Sequence, residues 1–147
     1  MAELSPPFSL RTVDWTRDLQ PLRAVRTAVF VVEQNIPADL EWDAFDAVSI
    51  HALAVDTAGT PIGCGRLLPD GHIGRMAVLP AWRGQGVGAA LVGHLIEVAR
   101  QRGDACLRLN AQTQAMPFYA RFGFAPVGEE FVEAGIPHRT MECVLAA

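Results

Sequence analysis

Ile73-Gly74-Arg75-Met76-Ala77-Val78-Leu79-Pro80-Ala81-Trp82-Arg83-Gly84-Gln85-Gly86-Val87-Gly88-Ala89-Ala90 is the stretch on which the fold turns. Ile73 to Leu79 reads as a strand that Pro80 ends. From Gly84 an amphipathic helix opens, with Val87, Leu91, Leu95, Ile96 and Val98 inward, and it closes near Gly103. Glycines in the turn let backbone amides approach a ligand with no Cβ in the way. Unpaired amides at a helix N-terminus, with its partial positive charge, form an anion site. Arg83 adds a fixed charge able to grip phosphate with two N–H groups at once. Together these features spell a pyrophosphate cradle.

Working outward, residues 8–13 are expected to form a first strand. From Asp18 to Glu33, Leu19, Leu22, Val25, Ala28, Val29 and Val32 recur at helical steps, and Asn35 with Pro37 stops the pattern. The polar, aromatic and acidic stretch 34–47 reads as a structured loop or short helix. Ser49–Asp56 and Pro61–Leu68 read as strands joined by a turn at Thr57-Ala58-Gly59-Thr60. After the helix, Ala105–Asn110 is a strand. A short helix runs from Thr113 or Gln114 to Arg121, with Pro117 tolerated near its first turn, and Arg139–Leu145 is the last strand. The order predicts a mixed α/β (α+β) sheet covered by helices, in one domain over 1–147.

Three phosphate-binding designs compete for the glycine loop. A Walker loop needs Gly-Lys-Ser/Thr, which is absent. A dinucleotide fingerprint is formally present as Gly84-x-Gly86-x-x-Ala89, but Asp104 precedes the next strand instead of ending it. Arg83-x-x-Gly86-x-Gly88 after a strand ending in Ala77-Val78 resembles the coenzyme A signature of the GNAT acetyltransferases. Asn110-Ala111-Gln112-Thr113-Gln114-Ala115 and Phe118-Tyr119-Ala120-Arg121-Phe122-Gly123-Phe124 resemble that family's second motif. Arg26 to Gln34, Glu41-Trp42-Asp43 and Gly135-Ile136-Pro137-His138 look more narrowly like its ElaA-like branch.

The resemblance implies a mostly antiparallel sheet splayed between the strand ending at Val78 and the strand at 105–110, with acetyl-coenzyme A as acyl donor. Its pyrophosphate would meet Arg83, Gly84, Gln85, Gly86, Val87, Gly88 and Ala89, and its pantetheine arm would meet Met76, Ala77 and Val78. Many relatives carry an Asn seven residues before the tyrosine. Here that place is Gln112, whose longer amide can bond the pantetheine arm or a nearby carbonyl. A primary amine would attack the thioester directly, with the Val78 N–H facing the tetrahedral oxyanion and Tyr119 as general acid for the thiolate. Counting back from Val78 reaches His72 as the base, sharing a face with Gly74, Met76 and Val78 by alternation. Glu33, His51 and His138 are rivals for that role. Glu33, Trp42, His51 and His138, with the carboxylates Glu41, Asp43, Asp46 and Glu133, are candidates for the acceptor site. A non-catalytic acyl-coenzyme A sensor keeps the loop without an acid or base, and Arg26 to Glu33 also resembles the start of acyl-homoserine-lactone synthases.

Bulk properties fit a small-molecule enzyme. The 147 residues are 50% hydrophobic and 19% charged, with a net charge of −4. A mildly acidic chain argues against general nucleic-acid binding, which needs a basic surface. Cys64, Cys106 and Cys143 stand at unrelated spacings without CxxC pairs, so neither a disulfide framework nor a metal site is expected. Met1 to Arg11 shows no leader pattern and no segment is long enough to span a membrane, so a cytoplasmic place is expected. The amine acceptor stays open, and a homodimer is compatible with the resemblance.

Overall fold

The computed structural model describes residues 7–145; the first six residues of the span read as carrying no leader lie outside it. Strands β1 (Phe8–Val13), β2 (Ile50–Asp56), β3 (Pro61–Leu67), β4 (His72–Val78), β5 (Cys106–Gln112), β6 (Ala125–Pro126), β7 (Phe131–Glu133) and β8 (Ile136–Val144) form one sheet. Its order is β1-β2-β3-β4-β5-β8-β6, with β7 pairing β8. Every pairing is antiparallel except β4 with β5. The helices are α1 (Leu19–Arg26), α2 (Ala38–Glu41), α3 (Val87–Arg102) and α4 (Met116–Ala120).

Two apolar layers sandwich the sheet. On one face Leu91, Val92, Leu95 and Ala99 of α3 meet Ile62, Leu67, Ile73 and Leu107. On the other, Leu22 and Val25 of α1 meet Leu53, Cys64 and Ala77. Helix α3 lies close on β3 because Gly63 and Gly65 leave the strand bare there. A Cβ at Gly63 would sit 2.9 Å from Val87 Cγ1, and one at Gly65 would sit 3.1 Å from Leu95 Cδ1. Gly103, at φ 90°, ends α3 in the left-handed conformation that glycine favours.

Two departures from the expected elements matter. The helical stripe from Asp18 does not run on as α-helix to Glu33. From Thr27 to Glu33 it widens into π-helix, with Gln34 N–H bonding Val29 C=O at 3.1 Å. A π segment turns through fewer degrees per residue and redistributes side chains among neighbouring faces. The β-prone Val29-Phe30-Val31-Val32 run lies inside it. Helix α3 begins at Val87 rather than Gly84, because Gly84 (φ 77°) and Gly86 (φ 90°) are left-handed and outside helical geometry.

Strand β4 carries a bulge. Cys64 pairs with Ala77 and Arg66 with Gly74, so two steps on β3 oppose three on β4, and Arg75 takes φ 50°. Ile73, Met76 and Val78 therefore pack on the α3 side and Ala77 on the α1 side. This corrects the expected alternation: His72 does not share a face with Met76 and Val78.

A buried ion cluster ties α1, the segment 41–46 and the sheet together. Arg26, 1% exposed, donates from Nε to Glu41 Oε1 at 2.8 Å and from Nη1 to Asp46 Oδ1 at 2.7 Å. Arg66 donates from Nη1 to Asp46 Oδ1 at 2.8 Å and forks onto Asp43 at 2.7 and 2.9 Å. Arg75 reaches Asp43 Oδ2 at 3.1 Å. The Arg26 guanidinium also lies 4.7 Å from the Trp42 ring and 5.3 Å from the Trp15 ring. Burial alone would raise the Asp46 carboxyl, but the hydrogen bonds and charges of Arg26 and Arg66 outweigh it and hold it low. Hydrogen bonding to Arg66 holds Asp43 low as well. Both groups thus stabilise the fold above the ordinary carboxyl value of 3.8, and that stability is lost as pH falls through their lower folded values. Replacing Arg26 by Met leaves two buried carboxylates short of a partner. We expect a loss of about 3–5 kcal/mol in urea unfolding at neutral pH, with a smaller deficit below pH about 4, where unfolded carboxyls are protonated.

Candidate active site

Strands β4 and β5 are joined at only two rungs, His72 with Arg108 and Ile73 with Leu109. Beyond them β4 stays with β3 as far as Val78, while β5 stays with β8 as far as Gln112. The sheet therefore opens into a V, and the β4 backbone groups turned toward β5 lose strand partners there. A cavity lies on each side of the opening. One, of about 650 Å³, runs along the end of β4 and the start of α3. The other, of about 660 Å³, lies among β4, β5, the β7–β8 hairpin and the segment 34–45. Gln34, Met76, Ala115 and Tyr119 line both, so the cavities meet there.

The first cavity is lined by most of the residues expected to form the anion cradle. Met76, Ala77, Val78, Arg83, Gly84, Gly86, Val87, Gly88 and Ala89 line it. Among the described residues no side chain caps the N-terminus of the 16-residue helix α3, and unpaired amides at such an end suit an anion. No atom within 4 Å would meet a Cβ at Gly84 or Gly86, so it is their positive φ that requires glycine. Gln85 does not line the cavity: its Nε2 donates to Ala81 C=O at 2.9 Å and braces the turn. Gln112, expected at the pantetheine arm, lines the second cavity instead. Its amide is committed on both sides, donating to Gln34 Oε1 at 2.9 Å and accepting from Gln114 Nε2 at 2.5 Å.

Glu33 stands in the first cavity, not in the second with His72 and His138. Its two oxygens accept from Arg83 Nη1 and Nη2 at 2.6 Å each, while Arg83 Nε donates to Val78 C=O at 3.0 Å. That fork lowers the Glu33 carboxyl, the wrong direction for a base at neutral pH. His51 is also displaced from its expected role. It is 1% exposed, stacks on Trp15 at 5.0 Å and donates from Nε2 to Asp46 C=O at 2.8 Å. Burial pushes its imidazole down and keeps it neutral, as a core histidine. Trp42 covers Arg26 and Arg23 and lines neither cavity. Of the expected acidic groups, Glu41 and Asp43 reach the second cavity but are bound to arginines, and Asp46 is buried beneath it. They are not free to attract a cation.

The second cavity holds Tyr119, His72, His138 and Glu133. Burial pushes the Tyr119 phenol up to about 12, which keeps its proton on at neutral pH. His72 lies at the closed end of the V, with Nδ1 2.9 Å from Asp70 Oδ1 but outside hydrogen-bond geometry. His138 is 7% exposed, pairs across β5 with Gln112 at the open end, and stacks on Phe131 with centroids 5.9 Å apart. Composition and spacing had not singled out Arg26 as a cluster centre. The available signal was its place on the buried stripe between Leu22 and Val29, opposite Glu41, Asp43 and Asp46 in the sequence.

Residues 20–145 match the model of the acetyltransferase (GNAT) domain family. The chain is a GNAT acetyltransferase. It is 42% identical over 121 residues to the uncharacterized N-acetyltransferase YjcF of Bacillus subtilis, covering 80% of this chain and 86% of that one. Among solved structures, an acyl-CoA N-acyltransferase from Pseudomonas aeruginosa superposes with a TM-score of 0.83 at 32% identity, covering 93% of this chain and 99% of that one. Escherichia coli ElaA superposes with a TM-score of 0.82 at 32% identity, covering 92% and 99%. The family and these relatives make it an N-acetyltransferase of the ElaA-like branch, with an acyl-coenzyme A as donor. Among the described residues no helix is long and apolar enough to cross a membrane.

In the acetyltransferase the Arg83 fork is filled by Glu33, so a donor phosphate that takes Arg83 must displace that carboxylate. Both side chains are about two-fifths exposed, at 42% and 38%, and such pairs are worth at most about 1 kcal/mol. Glu33→Gln should therefore tighten coenzyme A binding by about two- to fivefold in calorimetric titration at low salt, with the gain fading at high salt.

Proposed function

We propose that the enzyme moves an acetyl group from acetyl-coenzyme A to a primary amine of a small molecule by direct attack on the thioester. One observation carries this reading: two cavities on opposite sides of the splayed sheet meet at Met76 and Tyr119. A thioester entering past the glycine loop and an amine entering from the other side would come together there. The unpaired amides at the start of α3 and the freed backbone of β4 suit a pyrophosphate and a pantetheine arm. Backbone N–H groups along Met76 to Val78 are oriented donors for the oxyanion that forms as nitrogen adds to the carbonyl carbon. Tyr119 gives its proton to sulfur as the C–S bond breaks, a role that suits a phenol held protonated. The proton leaving nitrogen goes to a side chain of the acceptor cavity, where His72 and His138 both stand. The reaction needs no metal, and a cytoplasmic enzyme fits three cysteines that are all free.

Apolar side chains such as Phe30, Ile36, Leu40 and Phe45 form much of the acceptor cavity, with Leu40 56% and Phe45 55% exposed near its mouth. They favour an amine on an apolar body over a fully solvated polyamine. A panel of primary amines, from arylalkylamines to spermidine, is screened for thiol release from acetyl-coenzyme A. Turnover with an arylalkylamine is expected, and silence across the panel despite donor binding would point instead to a non-catalytic sensor. Tyr119→Phe should bind acetyl-coenzyme A as the wild type does and lose about 100-fold or more in kcat. Gly86→Glu, which forces a Cβ and a negative charge into the cradle, should abolish saturable binding.

A further inference from the structure

We infer that His138, not His72, takes the proton from the attacking amine, with Glu133 beside it. The inference rests on the acetyltransferase reading of the two cavities. His138 Nδ1 lies 2.6 Å from Ile136 C=O. A carbonyl only accepts, so Nδ1 carries the hydrogen and the lone pair belongs to Nε2. Nε2 lies 3.7 Å from Glu133 Oε2, too far for a hydrogen bond, so its lone pair is not taken up by a protein donor there. The ring is fixed by its stack on Phe131 and by its place in β8. A basic nitrogen with a set tautomer, a set orientation and a neighbouring carboxylate has the parts of a general base.

Position separates the two histidines. His72 pairs with Arg108 at the closed end of the V, and His138 pairs with Gln112, four residues further along β5. At about 3.3 Å per residue, Gln112 lies roughly 13 Å along the strand from the His72 level. Met76, where the two cavities join, lies beyond the same two rungs on β4. Gln112 is tied to Gln34 at 2.9 Å, so the wall between His138 and that junction is held in place. The other charged groups facing the cavity, Glu41, Asp43, Arg66 and Arg75, are paired with one another. Glu133 is the carboxylate left beside His138.

The proton count closes. As the C–N bond forms, nitrogen sheds a proton to His138 Nε2. As the C–S bond breaks, sulfur takes the Tyr119 proton. The imidazolium proton then restores the phenol through solvent, giving amide and free thiol.

Bromoacetyl-coenzyme A tests the assignment without knowledge of the natural amine. Bound as a donor, it presents a CH2–Br carbon at the junction, where a nearby lone pair forms a C–N bond and bromide leaves. The expected result is one adduct on the peptide containing His138, prevented by excess coenzyme A. His138→Asn keeps a donor for Ile136 C=O but lacks Nε2, so it should bind coenzyme A within twofold of wild type and remain unlabelled. His72→Asn should be labelled at the wild-type rate. An adduct on His72, Glu33 or a cysteine, or bound reagent that leaves His138 untouched, overturns the assignment. Failure of the reagent and of coenzyme A to bind at all overturns the donor cavity itself and the inference with it. With phenethylamine and spermidine as probe amines, an undiminished kcat in His138→Asn would also sink it; a loss of about 100-fold with an unchanged KM for acetyl-coenzyme A is expected.

Discussion

Two hydrogen-bonded rungs hold the molecule's halves together as one sheet, and their small number is the constraint on which the site depends. β4 and β5 run parallel, pair at His72–Arg108 and Ile73–Leu109, and then diverge. The extra residue at Arg75 bends β4 and increases its twist, as bulges do, so β4 follows β3 while β5 follows β8. Backbone polar groups beyond the second rung are left for a ligand instead of a strand. More rungs would close the gap at which the two cavities meet. Fewer would leave two separate sheets.

The walls of that gap are secured by charge that never leaves the interior. Arg26, Arg66 and Arg75 face Glu41, Asp43 and Asp46 in a cluster with equal numbers of each sign. Such a cluster is a weak source of net stability, but it fixes geometry, because each fork accepts a carboxylate in few orientations. It pins the segment 41–46 over β3 and β4 and so shapes one side of the second cavity. The Glu33–Arg83 pair does similar work at the surface, joining the end of the π-helical segment to the phosphate loop.

The fold was largely legible because its signals are local. Alternation marked β5, a turn at Thr57-Ala58-Gly59-Thr60 set β2 and β3 apart, Pro80 and Gly103 punctuated the central strand and helix, and the loop 83–88 resembled a known motif. What escaped depends on one-residue irregularities or on distant partners. The Arg75 bulge shifts His72 off the face of Met76, and nothing in His72-Ile73-Gly74-Arg75 announces an added residue. The π segment hides within a sequence whose spacing fits an ordinary helix. At the site, the glycines and Tyr119 could be placed from their motifs. The roles given to Glu33, His51 and Trp42 failed because each is decided by a partner far along the chain: Arg83, Asp46 and Trp15, and Arg26.

The two cavities are made of different material. The first cavity is lined by the end of β4, two left-handed glycines and the start of α3, together with Glu33, Arg83 and Tyr119. The second is lined by many residues of the connecting segment 34–45 and of the β7–β8 hairpin. Substitution changes side chains readily and main-chain geometry hardly at all. If the second cavity holds the acceptor, a population of such chains can drift in what it acetylates while continuing to draw on the same acyl currency, and specificity can turn over faster than chemistry.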